Sequence, residues 1–131
     1  MSKTYDLLKQ AGVFFLATIN GDKPALRPFG AVMELGGELY FSTAKGKDVY
    51  AQLVQCPAIQ IAAMTGSERE WLRVCGNAVE VSDLSAKQAM LDACPVLLKH
   101  FPMSGDEKFA LFKVADIKAT LYGNSGETNL I

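Results

Sequence analysis

The dipeptide Asn20-Gly21 constrains the fold more than any other feature of this sequence, because it separates two strand-like runs. The run before it, "VFFLATI", is rich in β-branched and aromatic residues, and "KPALRPFGAVMEL" follows almost at once. Asn-Gly between such runs is the strongest short signal for a β-hairpin. A second turn signal, Gly36-Gly37, leads into "ELYFSTA". The sequence therefore predicts a three-stranded antiparallel meander.

The remainder of the chain predicts further strands with short helices between them. After Lys47 the apolar residues take helical spacing, and Pro57 follows the expected helix end. Two strands joined by the polar "TGSERE" are predicted from "AIQIAAM" and "WLRVCGNAVEV". A helix that Pro95 ends is predicted from "LSAKQAMLDA". A closing strand pair is predicted from "KFALFKV" and "DIKATLYG". About seven strands paired in sequence favour a small barrel or sandwich over a doubly wound sheet. The final "NSGETNLI" fits a tail over a neighbouring subunit or a free end.

Length, charge and cysteine usage restrict the class of protein. The 131 residues predict a single domain over 1–131, and a 50% hydrophobic composition can form a core without disulfides or metal. A net charge of -1 does not indicate nucleic acid or an anionic membrane as the partner. Cys56, Cys75 and Cys94 form no CxxC or Cys/His cluster, which predicts free thiols. Without a signal peptide or membrane-spanning run, a cytoplasmic protein is expected.

The stretch "LYFSTAKGKDVYAQL" is the first candidate binding site, because a strand ends there and a helix begins. The first N–H groups of a helix lack partners and its dipole is positive there, which favours an anion. Ser42 and Thr43 add hydroxyl donors, and Lys45 and Lys47 add charge. The alternative is an ordinary solvated turn. The GxxxxGK[ST] motif is absent, so nothing indicates ATP hydrolysis.

Two further places carry cations beside apolar residues. Arg27 precedes Pro28, which removes a backbone donor and so suggests a strand edge or a bulge. Arg27 is then either a fixed cation beside a ligand or an exposed edge arginine. Strand alternation puts Trp71 and Arg73 on one face. That face suits a flat aromatic or anionic ligand, a subunit interface, or a tryptophan covering one end of the barrel.

No familiar set of catalytic residues is visible. His100 is the only histidine and lies in an irregular segment, which does not favour a Ser-His-Asp or Cys-His arrangement. The carboxylates show no metal-ligand spacing, so no metal is expected. The catalytic residues therefore stay unassigned, and in an enzyme a cofactor would bring the chemistry.

Together these segments resemble a known family. The order of "FFLATINGDKPALRPFGAV", "GELYFSTAKGKDVYAQLVQCPAIQIAAM" and "WLRVCGNAVEV" is similar to the pyridoxamine 5'-phosphate oxidase-like, FMN-binding split-barrel family, particularly its small bacterial branch, over nearly the whole chain. The resemblance implies a mainly β fold, an antiparallel Greek-key split β-barrel with two or three short helices. It also implies a homodimer with FMN at the interface, each site being built from both subunits.

The resemblance also implies roles for particular residues. In that family, residues along the FMN phosphate and ribityl chain match Arg27, Ser42, Thr43 and Lys47, with Lys45 a weaker match. Trp71 stands where the true oxidases have a glutamine that reaches the flavin from the partner subunit, and Arg73 on the same face helps to hold the phosphate or the interface. The cofactor-binding residues expected are Arg27, Pro28, Phe29, Ser42, Thr43, Lys45, Lys47, Trp71 and Arg73.

Two departures from the true oxidases bear on function. Val32 stands where they carry a lysine, and their C-terminal arginine-and-histidine segment has no counterpart, so pyridoxamine phosphate oxidation is not expected. The leading hypothesis is an FMN-dependent oxidoreductase that passes electrons from a reduced nicotinamide or another donor to a small organic acceptor, with nitroimidazole-reducing relatives the nearest suggestion. The alternatives are a non-catalytic flavin or haem module, such as a redox sensor, and a dimeric structural protein with an empty site.

Overall fold

The structure is a computed structural model that describes residues 2–66 and 69–131. Within these residues lie three α-helices, one short 3-10 helix and eight strands. The helices are α1 Lys3–Ala11, α2 Asp48–Gln55 and α3 Leu84–Ala93, followed by the 3-10 helix Pro95–Lys99. The strands are β1 Phe14–Asn20, β2 Lys23–Phe29, β3 Met33–Leu35, β4 Glu38–Ala44, β5 Ala58–Met64, β6 Trp71–Val81, β7 Phe109–Gly123 and β8 Gly126–Asn129.

The strands form one sheet in the order β2-β1-β5-β6-β7-β4-β3, with β8 paired to β7. Each of these described pairings is antiparallel. The predicted fold class, mainly antiparallel β with short helices, is confirmed. The predicted turn over residues 65–70 lies partly outside the described residues.

The predicted three-stranded meander is wrong. β1 and β2 form the expected hairpin, with Gly21 at φ 66°, and β3 and β4 form a second hairpin. β2 and β3 nevertheless lie at opposite ends of the strand order, because the chain leaves the sheet between Phe29 and Met33. The cause is long-range packing: β4 pairs with β7, and Phe41 stacks on Phe112 with centroids 5.6 Å apart.

The predicted closing strand pair is also wrong, because β7 is one strand of 15 residues. It changes direction near Asp116, which has φ 52°, opposite an irregularity in the β6 register between Cys75 and Asn77. Such a bulge bends a strand without ending it. The chain then turns back through Gly126 as β8, so residues 126–129 are neither a free end nor an extended tail.

Two buried clusters fill the space between the sheet and the helices. The larger lies inside the curled sheet beneath α1 and α2, and the smaller lies beneath α3. β4 supplies both, because successive side chains point to opposite faces: Phe41 joins the larger cluster and Tyr40 the smaller. The position of β4 between the clusters fixes where α2 begins.

Gly76 allows the two longest strands to pack closely at the bend. A Cβ atom built on Gly76 would lie 2.5 Å from Val114 Cγ1 and 2.7 Å from the Ala115 carbonyl oxygen. We predict that Gly76→Ala lowers the free energy of unfolding by about 2 kcal/mol, because β7 must move away. Urea unfolding measures the loss, and Gly105→Ala, with nothing within 4 Å of its Cβ, is the matched control. Equal stability of the two variants would contradict this account of the bend.

Candidate functional site

Arg27 points into the fold and bridges β1 and α2. Its Nη1 donates to Thr18 Oγ1 at 2.8 Å and to the Leu16 carbonyl at 3.3 Å, and its Nη2 donates to Gln52 Oε1 at 2.8 Å. Thr18 Oγ1 in turn donates to Gln52 Oε1 at 2.6 Å. Arg27 thus lies on the edge strand β2, but its side chain is half-buried, which favours the fixed cation over the exposed arginine.

The charge of Arg27 is only partly compensated. Its acceptors in this network are a carbonyl, a hydroxyl and an amide, and all three are neutral. Burial lowers the pKa of Arg27, and the negative charge of nearby Asp48 partly offsets that effect. Among residues 2–66 and 69–131, no carboxylate lies within salt-bridge distance of the guanidinium. The first turn of α2 thus has Arg27 and Lys47 beside it, together with one carboxylate, that of Asp48.

The N-terminus of α2 lacks a side-chain cap. Lys47 is the N-cap residue, in extended conformation, and its side chain makes no capping hydrogen bond. Its backbone N–H donates to the Ala44 carbonyl at 3.1 Å, which tightens the turn between β4 and α2. The Lys47 side chain is exposed and forms no salt bridge within the described part of the chain. These features are those of a helix terminus open to an anion.

Lys45, the weaker candidate, is directed elsewhere. Its Nζ lies 3.9 Å from Glu80 Oε2, and the Tyr50 hydroxyl donates to Glu80 Oε1 at 2.8 Å. The hydrogen bond to Glu80 is the main reason that the pKa of Tyr50 is raised. Lys45 thus shares the carboxylate of Glu80 with Tyr50, whereas Lys47 remains available.

Ser42 and Thr43 are both buried but lie on opposite faces of β4. Thr43 shares the face of Phe41, which packs in the same cluster as Val49 of α2, while Ser42 shares the face of Tyr40 beneath α3. Ser42 Oγ has no hydrogen-bond partner among the described residues. Of the two predicted hydroxyl donors, the structure brings only Thr43 to the side of Arg27 and α2.

Pro28 and Phe29 also face opposite ways. Phe29 points inward, with its ring centroid 5.8 Å from that of Phe41 and 6.3 Å from that of Phe14. Pro28 lies opposite Phe15 of β1 and is exposed. Phe29 therefore belongs to the wall beside Arg27, and Pro28 belongs to the outer surface of the sheet.

Trp71 and Arg73 share one face, as predicted, and a third residue joins them. The Trp71 and Tyr122 rings stack with centroids 4.5 Å apart at 15°, and the Arg73 guanidinium lies 5.0 Å from the Trp71 centroid and 5.4 Å from that of Tyr122. The sequence pattern did not identify Tyr122, because only the pairing register of β6 with β7 brings it opposite Trp71.

This aromatic stack does not meet Arg27 within one chain. Leu72 and Val74 face the buried cluster, so Trp71 and Arg73 point to the outside of the sheet, whereas Arg27 points inward. In the strand order, β1 and β5 also lie between β2 and β6. The predicted residues thus form two separate groups. Arg27, Phe29 and Thr43 face the inside of the sheet beside α2, whose exposed N-cap residue is Lys47, and Trp71 and Arg73 face the outside.

The outer face between these groups is apolar and uncovered. Phe15, Leu26 and Met64 are 44%, 67% and 62% exposed. The register places Phe15 beside Pro28 on one side and Ala62 on the other, and Ala62 beside Arg73. Exposed apolar side chains therefore line this face of the sheet.

Other features of the described residues bear on the class of protein. No group of three or more His, Cys, Asp or Glu side chains in residues 2–66 and 69–131 is arranged to hold a metal ion. No helix in the described ranges is long and apolar enough to cross a membrane. Cys56, Cys75 and Cys94 are free thiols. His100 is exposed at the end of the 3-10 helix.

A comparison with protein families decides the affiliation. The family model described as pyridoxamine 5'-phosphate oxidase matches residues 2–120. The chain belongs to this family. A comparison with curated proteins found no match.

Solved structures agree with the pyridoxamine 5'-phosphate oxidase family. A NimC/NimA family protein from Clostridium acetobutylicum is 32% identical, with a TM-score of 0.89, covering 98% of this chain and 91% of the other. A pyridoxamine 5'-phosphate oxidase-related, FMN-binding protein from Nostoc punctiforme is 18% identical, with a TM-score of 0.61 and coverage of 92% and 79%. A heme binding protein from Mycobacterium smegmatis is 19% identical, with a TM-score of 0.73 and coverage of 98% and 57%. The split-barrel fold expected from the sequence is thus confirmed.

Proposed function

We propose that this member of the pyridoxamine 5'-phosphate oxidase family binds FMN and holds the cofactor phosphate at the N-terminus of α2. The observation that carries the proposal is the uncapped helix terminus, where Lys47 is free and Arg27 is bonded only to neutral groups. A phosphate is the ligand that suits unpaired backbone N–H groups, a positive helix end and two cations.

Not every predicted residue has an equal part in this proposal. Lys47 and Arg27 supply charge, Thr43 supplies a hydroxyl, and Phe29 supplies an apolar wall. Lys45 is a secondary cation, because an approaching phosphate competes with Glu80 for it. Ser42 is left out of the phosphate site, because it faces the cluster beneath α3.

We further propose that a second copy of the chain completes each site. Trp71 and Arg73 lie on the outer face, apart from Arg27 and Lys47, so one chain cannot bring both groups to one ligand. The exposed apolar surface that carries Phe15, Pro28 and Leu26 supports pairing of two copies through this face. In such a homodimer, Trp71 and Arg73 of one copy approach the flavin held by the other.

The proposed activity is that of an FMN-dependent oxidoreductase. Bound FMN supplies the transfer of hydride or single electrons, while the chain binds the cofactor, orients it and covers it with apolar side chains. The proposed donor is a reduced nicotinamide, and the proposed acceptor is a small organic molecule such as a nitroimidazole, in keeping with the NimC/NimA name of one relative. Oxidation of pyridoxamine phosphate is not proposed, since Val32 stands where the true oxidases carry a lysine and their C-terminal arginine-and-histidine segment has no counterpart. Three free thiols support a reducing compartment such as the cytoplasm.

A non-catalytic binding module is the second candidate. The sequence shows no familiar set of catalytic residues, and one structural neighbour is a heme binding protein. FMN is favoured over haem in this chain, because the start of α2 suits a phosphate, whereas His100, the only histidine, is exposed at the end of the 3-10 helix and belongs to neither group of site residues.

Reversing the charge of Lys47 tests the phosphate site. We predict that Lys47→Glu weakens FMN binding by at least about tenfold, because a cation beside the phosphate is replaced by an anion. Fluorescence titration with FMN measures the affinity. The fold survives, since Lys47 is exposed, and urea unfolding verifies this.

Lys3→Glu is the matched control, as an exposed lysine at the start of another helix, and it leaves FMN affinity unchanged. Equal FMN affinity in Lys47→Glu and wild type would rule out the phosphate site. Colourless wild-type protein with no thermal shift on adding FMN would rule out the cofactor.

Turnover separates the enzyme from the binding module. We predict that the FMN-loaded protein oxidises NADH or NADPH faster than the same concentration of free FMN when a nitroimidazole or quinone is present, because the bound flavin is oriented and shielded. Loss of nicotinamide absorbance reports the rate. A rate no higher than that of free FMN with every acceptor would favour the non-catalytic module.

A further inference from the structure

Tyr122 stacks on Trp71, and the proposed site gives Tyr122 no role. It lies near the end of β7, directly opposite Trp71 of β6, and both are half-buried. With the rings 4.5 Å apart and nearly parallel, Tyr122 covers one face of the indole. One face of Trp71 is therefore occupied within its own chain, which limits how the indole can meet a ligand.

The Tyr122 ring also orients Arg73. The guanidinium lies over both aromatic rings, and its Nη1 donates to the Tyr122 hydroxyl at 3.4 Å. That bond is long, so the two rings contribute more to the orientation than the hydroxyl does. In residues 2–66 and 69–131, no carboxylate forms an ion pair with Arg73. Its remaining N–H donors are consequently available to an anion.

The strand neighbours of Arg73 leave that cation accessible. The register places Ala62 on one side of it and Thr120 on the other. Neither residue carries a charge or an aromatic ring that would fix the guanidinium. The orientation of Arg73 thus depends on Trp71 and Tyr122. Trp71 precedes Arg73 by two residues on β6, and Tyr122 follows Thr120 by two residues on β7.

We propose that Tyr122 is a positioning residue of the FMN site, which holds Arg73 in the orientation that receives the cofactor phosphate from the second copy. The inference rests on the proposed function, because the phosphate and the second copy belong to it. A guanidinium already held beside two rings by cation–π contacts loses less rotational freedom on binding than a free arginine does. Tyr122 therefore acts through Arg73 and not by touching the phosphate.

Substitutions at Tyr122 test this role when FMN is compared with riboflavin, which lacks the phosphate. Tyr122→Phe keeps the ring and leaves the dissociation constant for FMN within about threefold of wild type. Tyr122→Leu removes the stack and raises that constant about tenfold, a larger rise than for riboflavin, which can reach Trp71 but offers Arg73 no phosphate. A change in packing alone would weaken the binding of both flavins equally.

A double-mutant cycle shows whether the effect passes through Arg73. In the Arg73→Ala background, Tyr122→Leu causes no further loss of FMN affinity. If Tyr122→Leu does not fold, Tyr122→Thr replaces it: this variant puts a β-branched residue suited to a strand in place of the ring and shows the same selective loss for FMN.

Three results would overturn the inference while leaving the proposed function intact. They are FMN binding that is unchanged in Tyr122→Leu, equal losses for FMN and riboflavin, and losses that add to those of Arg73→Ala. Wild-type protein that binds neither flavin would instead overturn the proposed function, and the role of Tyr122 with it.

Discussion

The pairing of β7 with three other strands is the constraint on which the rest of the structure depends. β7 holds β6 along most of its length, β4 at its start and β8 at its end, and it bends where Gly76 leaves no side chain in its path. The bend curls the sheet around the larger cluster, and the β4 pairing sets where α2 begins. The pairing of β4 with β7 thereby sets how far the edge strand β2, which carries Arg27, lies from the N-terminus of α2.

The electrostatics of the candidate site follow from that placement. Arg27 is drawn inward by neutral acceptors on β1 and α2, and the first turn of α2 is left with a free lysine and no cap. A second cation, Arg73, is held by aromatic rings on the other side of the sheet. Neither Arg27 nor Arg73 forms an ion pair among the described residues, so both guanidinium groups can bind an anion. In the proposed homodimer, two copies pair through the exposed apolar outer face and share one ligand.

Local signals in the sequence predicted the elements better than their arrangement. The Asn20-Gly21 hairpin, the strands at 58–64 and 71–81 and the helix at 84–93 lie where the sequence indicates them. The meander and the closing strand pair failed, because both depend on which distant strands pair, and turn residues do not specify that. The same limit applies to the site. Strand alternation alone places Ser42 and Thr43 on opposite faces and Trp71 and Arg73 on the same face. The contacts of Gln52 with Arg27 and of Tyr122 with Trp71 could not be predicted, because they depend on how α2 packs and on the β6–β7 register.

The central claim is that one FMN site needs residues from two copies of the chain, and subunit complementation tests it most directly. Lys47→Glu and Arg73→Glu are each expected to abolish tight FMN binding, because every site in either homodimer lacks one cation. Mixing the two variants under conditions that allow subunits to exchange creates heterodimers in which one site carries both changes and the other carries neither. The account predicts that a titration recovers wild-type affinity at about half the sites of each heterodimer. A mixture that binds no more FMN than the separate variants would contradict a shared site.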